Sequence, residues 1–148
     1  VQVNSKLICE TDEQSIPTGK VLPTANTQFD FTEERIITQD FLDKGGVDHN
    51  YDFGSDNILK KVAIAFSNIT RMGVTYLSDQ PGSQFYTGNM MTNHYKGKYN
   101  RKYGLQHGFC FEPQLPPNAI NEERFQSPIL KANKEYNSII IIKLSNNF

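Results

Sequence analysis

Short runs rich in Val, Ile, Phe and Tyr alternate along this chain with clusters of Gly, Pro, Asn and Asp, and helical periodicity is scarce. Such a pattern is typical of an all-β protein. The runs predict strands at residues 1–8, 57–67, 73–78, 84–87, 108–112 and 136–145. Short helical turns are expected at residues 32–35, 38–42 and 118–125.

The predicted strand at 108–112 carries a single carboxylate, Glu112, and is followed by Pro113. Because side chains alternate between the two faces of a strand, Phe109 and Phe111 point one way, while Cys110 and Glu112 point the other. A carboxylate on a partly buried sheet face needs a hydrogen-bonding partner, and such groups serve as general bases. The alternative is a glutamate on an edge strand in contact with water.

The composition describes one ordinary domain with no strong overall charge. The chain has 148 residues, 15 Lys and Arg, 16 Asp and Glu, and a formal net charge of −1, so neither a nucleic acid nor a membrane is expected as a partner. No apolar run approaches the roughly 20 residues of a membrane-spanning helix. Cys9 and Cys110 lack metal-ligand spacing, and free thiols in a reducing, cytoplasmic compartment are expected.

Polar side chains are concentrated beside aromatic residues in three places, which are residues 48–51, residues 80–89 and the strand of Glu112. Carboxylates and amides next to aromatic faces suit a sugar, whose hydroxyl groups and C–H faces need both. Asp48 and Glu112 could also be the paired carboxylates of a glycoside hydrolase. Spacing alone leaves that alternative open.

No metal site is predicted. The spacing of Asp48, Asn50 and Asp52 resembles the start of a calcium loop, but the glycine falls one place late and Leu59 stands where a bidentate Glu is needed. The three histidines lack zinc-ligand spacing, so His49 is interpreted as a loop histidine whose hydrogen bonds are satisfied.

Four blocks in order resemble the aldose 1-epimerase (galactose mutarotase) family. They are Ile-Pro-Thr-Gly at 16–19 with Thr-Gln-Phe-Asp-Phe at 27–31, Val-Asp-His-Asn-Tyr at 47–51, residues 80–89 from Gln-Pro-Gly to Thr-Gly-Asn, and residues 108–114 with Pro-Asn-Ala at 117–119. The resemblance implies an antiparallel β-sandwich of the galactose mutarotase-like supersandwich type, with the sugar in an open cleft. It also implies that residues 1–148 are the C-terminal portion of one such domain, without a linker or second domain.

The resemblance assigns roles to three residues. Glu112 resembles the general base that takes a proton from the anomeric hydroxyl, Asp48 resembles the carboxylate that binds ring hydroxyls, and Gln80 resembles the amide near the base. The implied activity is interconversion of the α and β anomers of a free aldohexose such as glucose or galactose. No metal or organic cofactor is implied.

The departures from the family pattern are equally informative. The family's general-acid histidine lies in an N-terminal block upstream of where Val1 aligns, so this chain alone is expected to be weakly active or inactive, and the full-length protein to be an active isomerase. A homodimer or a complementing N-terminal segment is expected to cover the exposed edges. The usual Glu-Thr-Gln reads Glu112-Pro113-Gln114 here, which indicates a strand end or an edge strand.

Two alternative functions follow from the same residues. A non-catalytic carbohydrate-binding module would keep Asp48 and Gln80 for recognition. A hexose-6-phosphate epimerase would need a cationic phosphate clamp, and the one dense basic stretch, with Lys96, Lys98, Arg101 and Lys102, is interpreted as a solvated loop. Glycoside hydrolysis is disfavoured, because the resemblance accounts for both carboxylates.

Overall fold

The computed structural model describes residues 1–146, which form two antiparallel β-sheets packed face to face. The strands are β1 (Gln2–Val3), β2 (Leu7–Thr11), β3 (Pro17–Pro23), β4 (Asp48–Asp52), β5 (Lys60–Phe66), β6 (Gly73–Ser78), β7 (Gly82–Tyr86), β8 (Cys110–Gln114) and β9 (Ile140–Ser145). One short helix, α1 (Gln39–Asp43), precedes β4, and a tight turn at Lys98–Asn100 lies between β7 and β8. The predicted all-β antiparallel fold is thus confirmed.

The four-stranded sheet has the order β1-β5-β6-β9, and the five-stranded sheet has the order β3-β2-β4-β7-β8. Strands β6 and β7 are consecutive in sequence but belong to different sheets, so the chain crosses the sandwich between residues 78 and 82. Strand β8 is an edge strand of its sheet, as Pro113 indicated, and β9 is an edge strand of the other.

Aromatic rings fill the space between the sheets. Phe85 on β7 lies 4.9 Å from Phe111 on β8 and 5.4 Å from Phe31, measured between ring centroids. Tyr76 on β6 contacts Phe111 from the opposite sheet at 5.3 Å in an edge-to-face arrangement, which aromatic pairs prefer. Phe31, Phe85 and Phe111 are all buried, so one face of β7 and β8 belongs to the core.

One strand was predicted at residues 1–8, but the structure has two, and the core explains the difference. Ser5 is buried, and its hydroxyl binds both Leu7 N–H and the carbonyl oxygen of Asp52, so the chain turns between β1 and β2. The two strands consequently lie in different sheets.

Two strands escaped prediction, and two predicted helical turns are wrong. β3 and β4 were interpreted as turn and loop segments because they contain Pro, Gly, Asp and Asn, yet both pair with β2. The helix expected at 38–42 forms as α1, whose first turn is capped by the Thr38 side chain accepting from Phe41 N–H. Residues 32–35 and 118–125 form turns and bends but no helix.

One side of the sandwich is open. β6 packs on the edge strand β8 through Tyr76 and Phe111, so β9 reaches past the last strand of the facing sheet. Ile140, Ile142 and Leu144 on β9 are 49%, 54% and 76% exposed. An apolar opening of about 920 Å³ reaches β9 at Leu144 and is otherwise lined by other elements, with residues that include Val74 and Phe109.

Among residues 1–146, no helix has the length and apolar character needed to cross a membrane.

Candidate functional site

Asp48, Gln84 and Glu112 lie on the same face of three neighbouring strands, β4, β7 and β8. The strand register places Gln84 directly opposite Glu112 on one side and opposite Asn50 on the other, and Asp48 is two residues from Asn50. Side chains that are two residues apart share a face, so the three polar groups point away from the core. Two strand spacings of about 4.8 Å separate β4 from β8. Asp48 and Glu112 therefore lie on opposite sides of Gln84.

The three residues line a shallow cleft of about 460 Å³ on the outer face of the five-stranded sheet. The remaining lining residues come from the end of β7, the connection after it, the end of β8 and the segment after β8, namely Tyr86, Met90, Gln114 and Pro117. Carboxylates, amides and one aromatic ring thus surround a space open to solvent. The same combination of side chains was the basis for predicting a sugar-binding site from the sequence.

Gln84 connects the two acidic positions. Its Nε2 donates a hydrogen bond of 2.7 Å to Asp48 Oδ1. Its Oε1 is buried and has no hydrogen-bond partner in the described part of the chain. An acceptor in that state costs about 1–3 kcal/mol, so a donor brought to this position would be stabilising.

Glu112 is exposed, and within residues 1–146 its side chain makes no hydrogen bond or ion pair. In this chain Glu112 is therefore a glutamate on an edge strand in contact with water, which was the alternative to a partly buried carboxylate. The same geometry leaves both carboxylate oxygens of Glu112 free to accept from a ligand in the cleft.

The position of Asp48 is fixed by the Thr-Gly-Asn sequence that follows β7. Thr87 Oγ1 accepts from Val47 N–H at 2.8 Å, and Asn89 Nδ2 donates to the Val47 carbonyl at 3.0 Å. Both partners are main-chain groups of the residue before Asp48. The start of β4 is thereby held against the end of β7.

Met90 is placed at the rim of the cleft by Tyr86. The Tyr86 phenol accepts from Met90 N–H at 2.8 Å, which turns the chain back over the strand end. On the other side of the cleft, Asn118 Nδ2 donates to the Pro17 carbonyl at 3.1 Å and ties the segment that contains Pro117 to β3.

Gln80, the third predicted site residue, lies elsewhere. It is buried in the connection between β6 and β7, where its Nε2 donates to Tyr136 Oη at 2.7 Å and to Ser138 Oγ at 2.6 Å. Gln80 does not line the cleft of Asp48 and Glu112, and its substrate-binding role stays a prediction. Sequence reasoning missed Gln84, although the alternation of β7 points it to the face that the buried Phe85 does not use.

His49 is not the satisfied loop histidine that the sequence indicated. It lies on β4, its ring centroid is 4.2 Å from that of Phe29, and its Nδ1 is buried without a partner in the described residues. Burial lowers the pKa of His49, and the neighbouring Asp48 partly opposes that effect. His107 Nδ1 accepts from Gly104 N–H at 3.1 Å on the surface.

Within residues 1–146, no three His, Cys, Asp or Glu side chains come together as metal ligands would. Both cysteines are free thiols, with Cys9 buried and Cys110 exposed. Cys110 is two residues from Glu112 and shares its face. Burial, and to a smaller extent the Glu112 carboxylate, raise the pKa of Cys110.

Comparison with known proteins confirms the family resemblance of the sequence. The family model "Aldose 1-epimerase" matches residues 1–143. Human galactose mutarotase is 31% identical over 147 residues, which is 98% of this chain and 43% of the human protein. The aldose 1-epimerase of Escherichia coli K12 is 27% identical over 137 residues, covering 86% of this chain and 39% of the bacterial protein.

Solved structures show the same fold. An aldose epimerase homologue from C. elegans superimposes with a TM-score of 0.86 at 18% identity, over 99% of this chain and 45% of that structure. Galactose 1-epimerase from Lactobacillus acidophilus gives a TM-score of 0.64 at 20% identity, over 99% of this chain and 43% of that structure.

The two antiparallel sheets thus have the fold of the aldose epimerase structures. The chain belongs to the aldose 1-epimerase family. It spans less than half the length of the curated relatives that it matches.

Proposed function

We propose that this chain supplies the general-base side of an aldose 1-epimerase site. The observation that carries the proposal is the placement of Asp48, Gln84 and Glu112 on one face of three adjacent strands in a single open cleft. The substrate is a free aldohexose of the glucose or galactose type, as the relatives named galactose mutarotase suggest. The two free thiols are in keeping with a reducing, cytoplasmic location.

Glu112 acts as the base. Its free carboxylate takes the proton from the anomeric hydroxyl, and the electron pair of that O–H bond forms the aldehyde carbonyl as the bond between the anomeric carbon and the ring oxygen breaks. The ring oxygen receives a proton from a general acid. Rotation about the bond next to the carbonyl presents the other face of the aldehyde. On closure, the ring oxygen attacks the carbonyl carbon and gives its proton back to the general acid, while Glu112 returns its proton to the new anomeric hydroxyl.

Asp48 and Gln84 orient the sugar. Asp48 keeps one oxygen for Gln84 and offers the other to a ring hydroxyl, because a carboxylate has more acceptor positions than a single hydrogen bond uses. Gln84 Oε1 lacks a donor, which a second hydroxyl can provide after a small rotation of the amide. Two fixed hydroxyl contacts would hold the anomeric hydroxyl on the Glu112 side of the cleft.

The general acid is expected from a complementing segment of the full-length protein. Strand β9 exposes Ile140, Ile142 and Leu144, and the apolar opening beside it is about 920 Å³. Exposed apolar edges of this kind are normally paired or covered. A segment that covers them would complete the sandwich and bring further side chains to the cleft.

Polarimetry on freshly dissolved α-glucose and α-galactose tests the proposal. The 148-residue chain alone should barely exceed the rate in buffer, whereas an assembly with the complementing segment should accelerate mutarotation. Within that assembly, Glu112→Gln should lower the rate about 10²- to 10⁴-fold with sugar binding retained. Glu123→Gln, an exposed glutamate outside the cleft, is the matched control and should behave like the parent protein.

Each result bears on one part of the proposal. Full-rate mutarotation by the isolated chain would overturn the need for a complementing segment. Normal turnover after Glu112→Gln would remove Glu112 as the base. Sugar binding without turnover in every form would favour a carbohydrate-binding module. A concentration-dependent homodimer in size-exclusion chromatography would indicate that a second copy of the chain covers β9.

A further inference from the structure

The connection between β7 and β8 contains a strongly basic hairpin, defined here as residues 95–103. It carries Lys96, Lys98, Arg101 and Lys102, and no Asp or Glu occurs anywhere from residue 80 to residue 111. Because the whole chain has a formal net charge of −1, the remaining residues together carry about −5. The near-neutral total therefore hides a local concentration of positive charge.

The hairpin places like charges opposite each other. Lys96 and Lys102 pair across an antiparallel bridge, and Gly97 N–H donates to the Arg101 carbonyl at 2.7 Å. Residues directly opposite in such a pair have their Cβ atoms only about 4.5–5.5 Å apart, and like charges there are destabilising. None of the hairpin's cations forms an ion pair with a carboxylate of residues 1–146. An external anion would relieve this repulsion.

Aromatic residues alternate with the cations. Tyr95 and Tyr99 are 82% and 91% exposed, whereas the Tyr103 ring lies on Gly97, where an added Cβ would fall 1.9 Å from Tyr103 Cε2. Gly97 is thus required by the approach of that ring, which stiffens the hairpin. The exposed rings are left free for a partner.

Tyr99 occupies a strained position at the tip. Tyr99 (φ 57°, ψ 29°) and Asn100 (φ 59°) are consecutive left-handed residues, as in a type I′ hairpin turn. Asn tolerates this conformation, but a bulky aromatic residue rarely adopts it. Backbone strain of this type is concentrated at functional sites.

We propose that the basic hairpin docks the protein on an anionic lipid surface. Its four cations would contact negatively charged headgroups, while Tyr95 and Tyr99 would enter the interfacial layer, where aromatic rings with a polar tip are favoured. Every residue from 92 to 103 is exposed, and two of the cations precede the Tyr99–Asn100 turn while two follow it. Binding of single-stranded nucleic acid uses a positively charged groove instead, which such a tip does not provide.

This inference is independent of the proposed sugar chemistry. It also revises the expectation of no membrane partner, which rested on the total charge. Peripheral docking depends on the charge within about one Debye length of the membrane surface, roughly 8 Å at physiological ionic strength. The local charge of the hairpin therefore matters more for membrane binding than the net charge of the chain.

Vesicle co-sedimentation of the 148-residue chain tests the proposal. The chain should bind vesicles of phosphatidylcholine with about 30% phosphatidylserine, and binding should fall when salt is raised from 0.1 to 0.5 M. Each Lys or Arg near an anionic surface changes partitioning about fivefold, so the K96Q/K102Q variant should bind about 25-fold more weakly. K131Q/K134Q removes the same charge from an exposed segment elsewhere and should bind like the parent chain.

Tyr99→Gly separates docking from folding. Glycine relieves the left-handed strain, so Tm should stay the same or rise while vesicle binding falls. Equal binding to pure phosphatidylcholine vesicles would assign the interaction to the open apolar side and overturn the proposal. Equal losses in K96Q/K102Q and K131Q/K134Q, or tighter binding to oligouridylate or polyglutamate than to the anionic vesicles, would overturn it as well.

Discussion

Gln84 donates a 2.7 Å hydrogen bond to Asp48 and lies directly opposite Glu112, so a single amide is the neighbour of both cleft carboxylates. In contrast, the nearby Gln80 binds Tyr136 and Ser138 outside the cleft. Two glutamines four residues apart therefore lie in different surroundings, Gln84 in the cleft and Gln80 against the segment before β9.

The substitutions Gln84→Met and Gln80→Met distinguish these roles. Gln84→Met should weaken sugar affinity of the active assembly about tenfold with little change in stability, because it removes hydrogen bonds at the surface of the cleft. Gln80→Met should leave sugar affinity unchanged but cost about 1–3 kcal/mol of unfolding free energy, because it removes the two hydrogen bonds that the buried Gln80 amide donates to Tyr136 and Ser138. Titration calorimetry and urea unfolding measure the two quantities, and the reverse pattern would exchange the assignments.

Gly82 is required by the side chain of Asn50. A Cβ at residue 82 would lie 2.6 Å from Asn50 Nδ2 and 2.8 Å from its Oδ1. Asn50 is buried beside Cys9, so it has little room to move. Gly82→Ala should therefore cost about 1–3 kcal/mol in urea unfolding. Gly108→Ala is the control, since nothing lies within 4 Å of an added Cβ there. Equal stabilities of the two variants would contradict this packing.

The two thiols should differ in reactivity. Cys110 is exposed and Cys9 is buried, so a disulfide reagent should modify one thiol in the folded chain and two after unfolding. Because burial and the Glu112 carboxylate raise the pKa of Cys110, its labelling rate should increase as pH rises toward and above 9. Glu112→Gln should accelerate labelling at a fixed pH near 8. An unchanged rate would argue against the proximity of the two side chains.

Protonation of His49 should make stability dependent on pH. Its pKa is lowered from 6.5 by burial, so the unfolded chain binds a proton at higher pH than the folded chain does. Stability should consequently be fully present above pH 6.5 and fall as pH drops below that value toward the folded pKa. Urea unfolding between pH 7 and 5 measures the slope. His49→Gln should flatten it, whereas His94→Gln, an exposed control, should leave it unchanged.

The sequence predicted the fold class because β-branched and aromatic runs carry that information locally. It failed at β3 and β4, whose Pro, Gly, Asp and Asn residues have low strand propensity but are held in place by pairing with β2 and β7. Long-range pairing of that kind is not encoded in any single segment.

For the candidate site, too, local motifs could be recognised in the sequence, whereas features that depend on long-range strand pairing could not. Asp48 and Glu112 were found from motifs, and the structure brings them into one cleft. Gln84 was missed because choosing between two glutamines of one motif requires the cross-strand register, and Gln80 sits before the first residue of β7. Strain at Tyr99 was also invisible, since a left-handed tyrosine has no sequence signal.

Strand β7 carries the cleft on one face and the core on the other, with Gln84 and Phe85 as adjacent residues. Inserting or deleting one residue within this strand would exchange the two faces, so that a phenyl ring would enter the cleft and an amide would enter the core. Length variation among homologues should therefore be absent from β4, β7 and β8 and concentrated in residues 87–109. The alternation of one strand thus sets where evolution can add or remove residues in this protein.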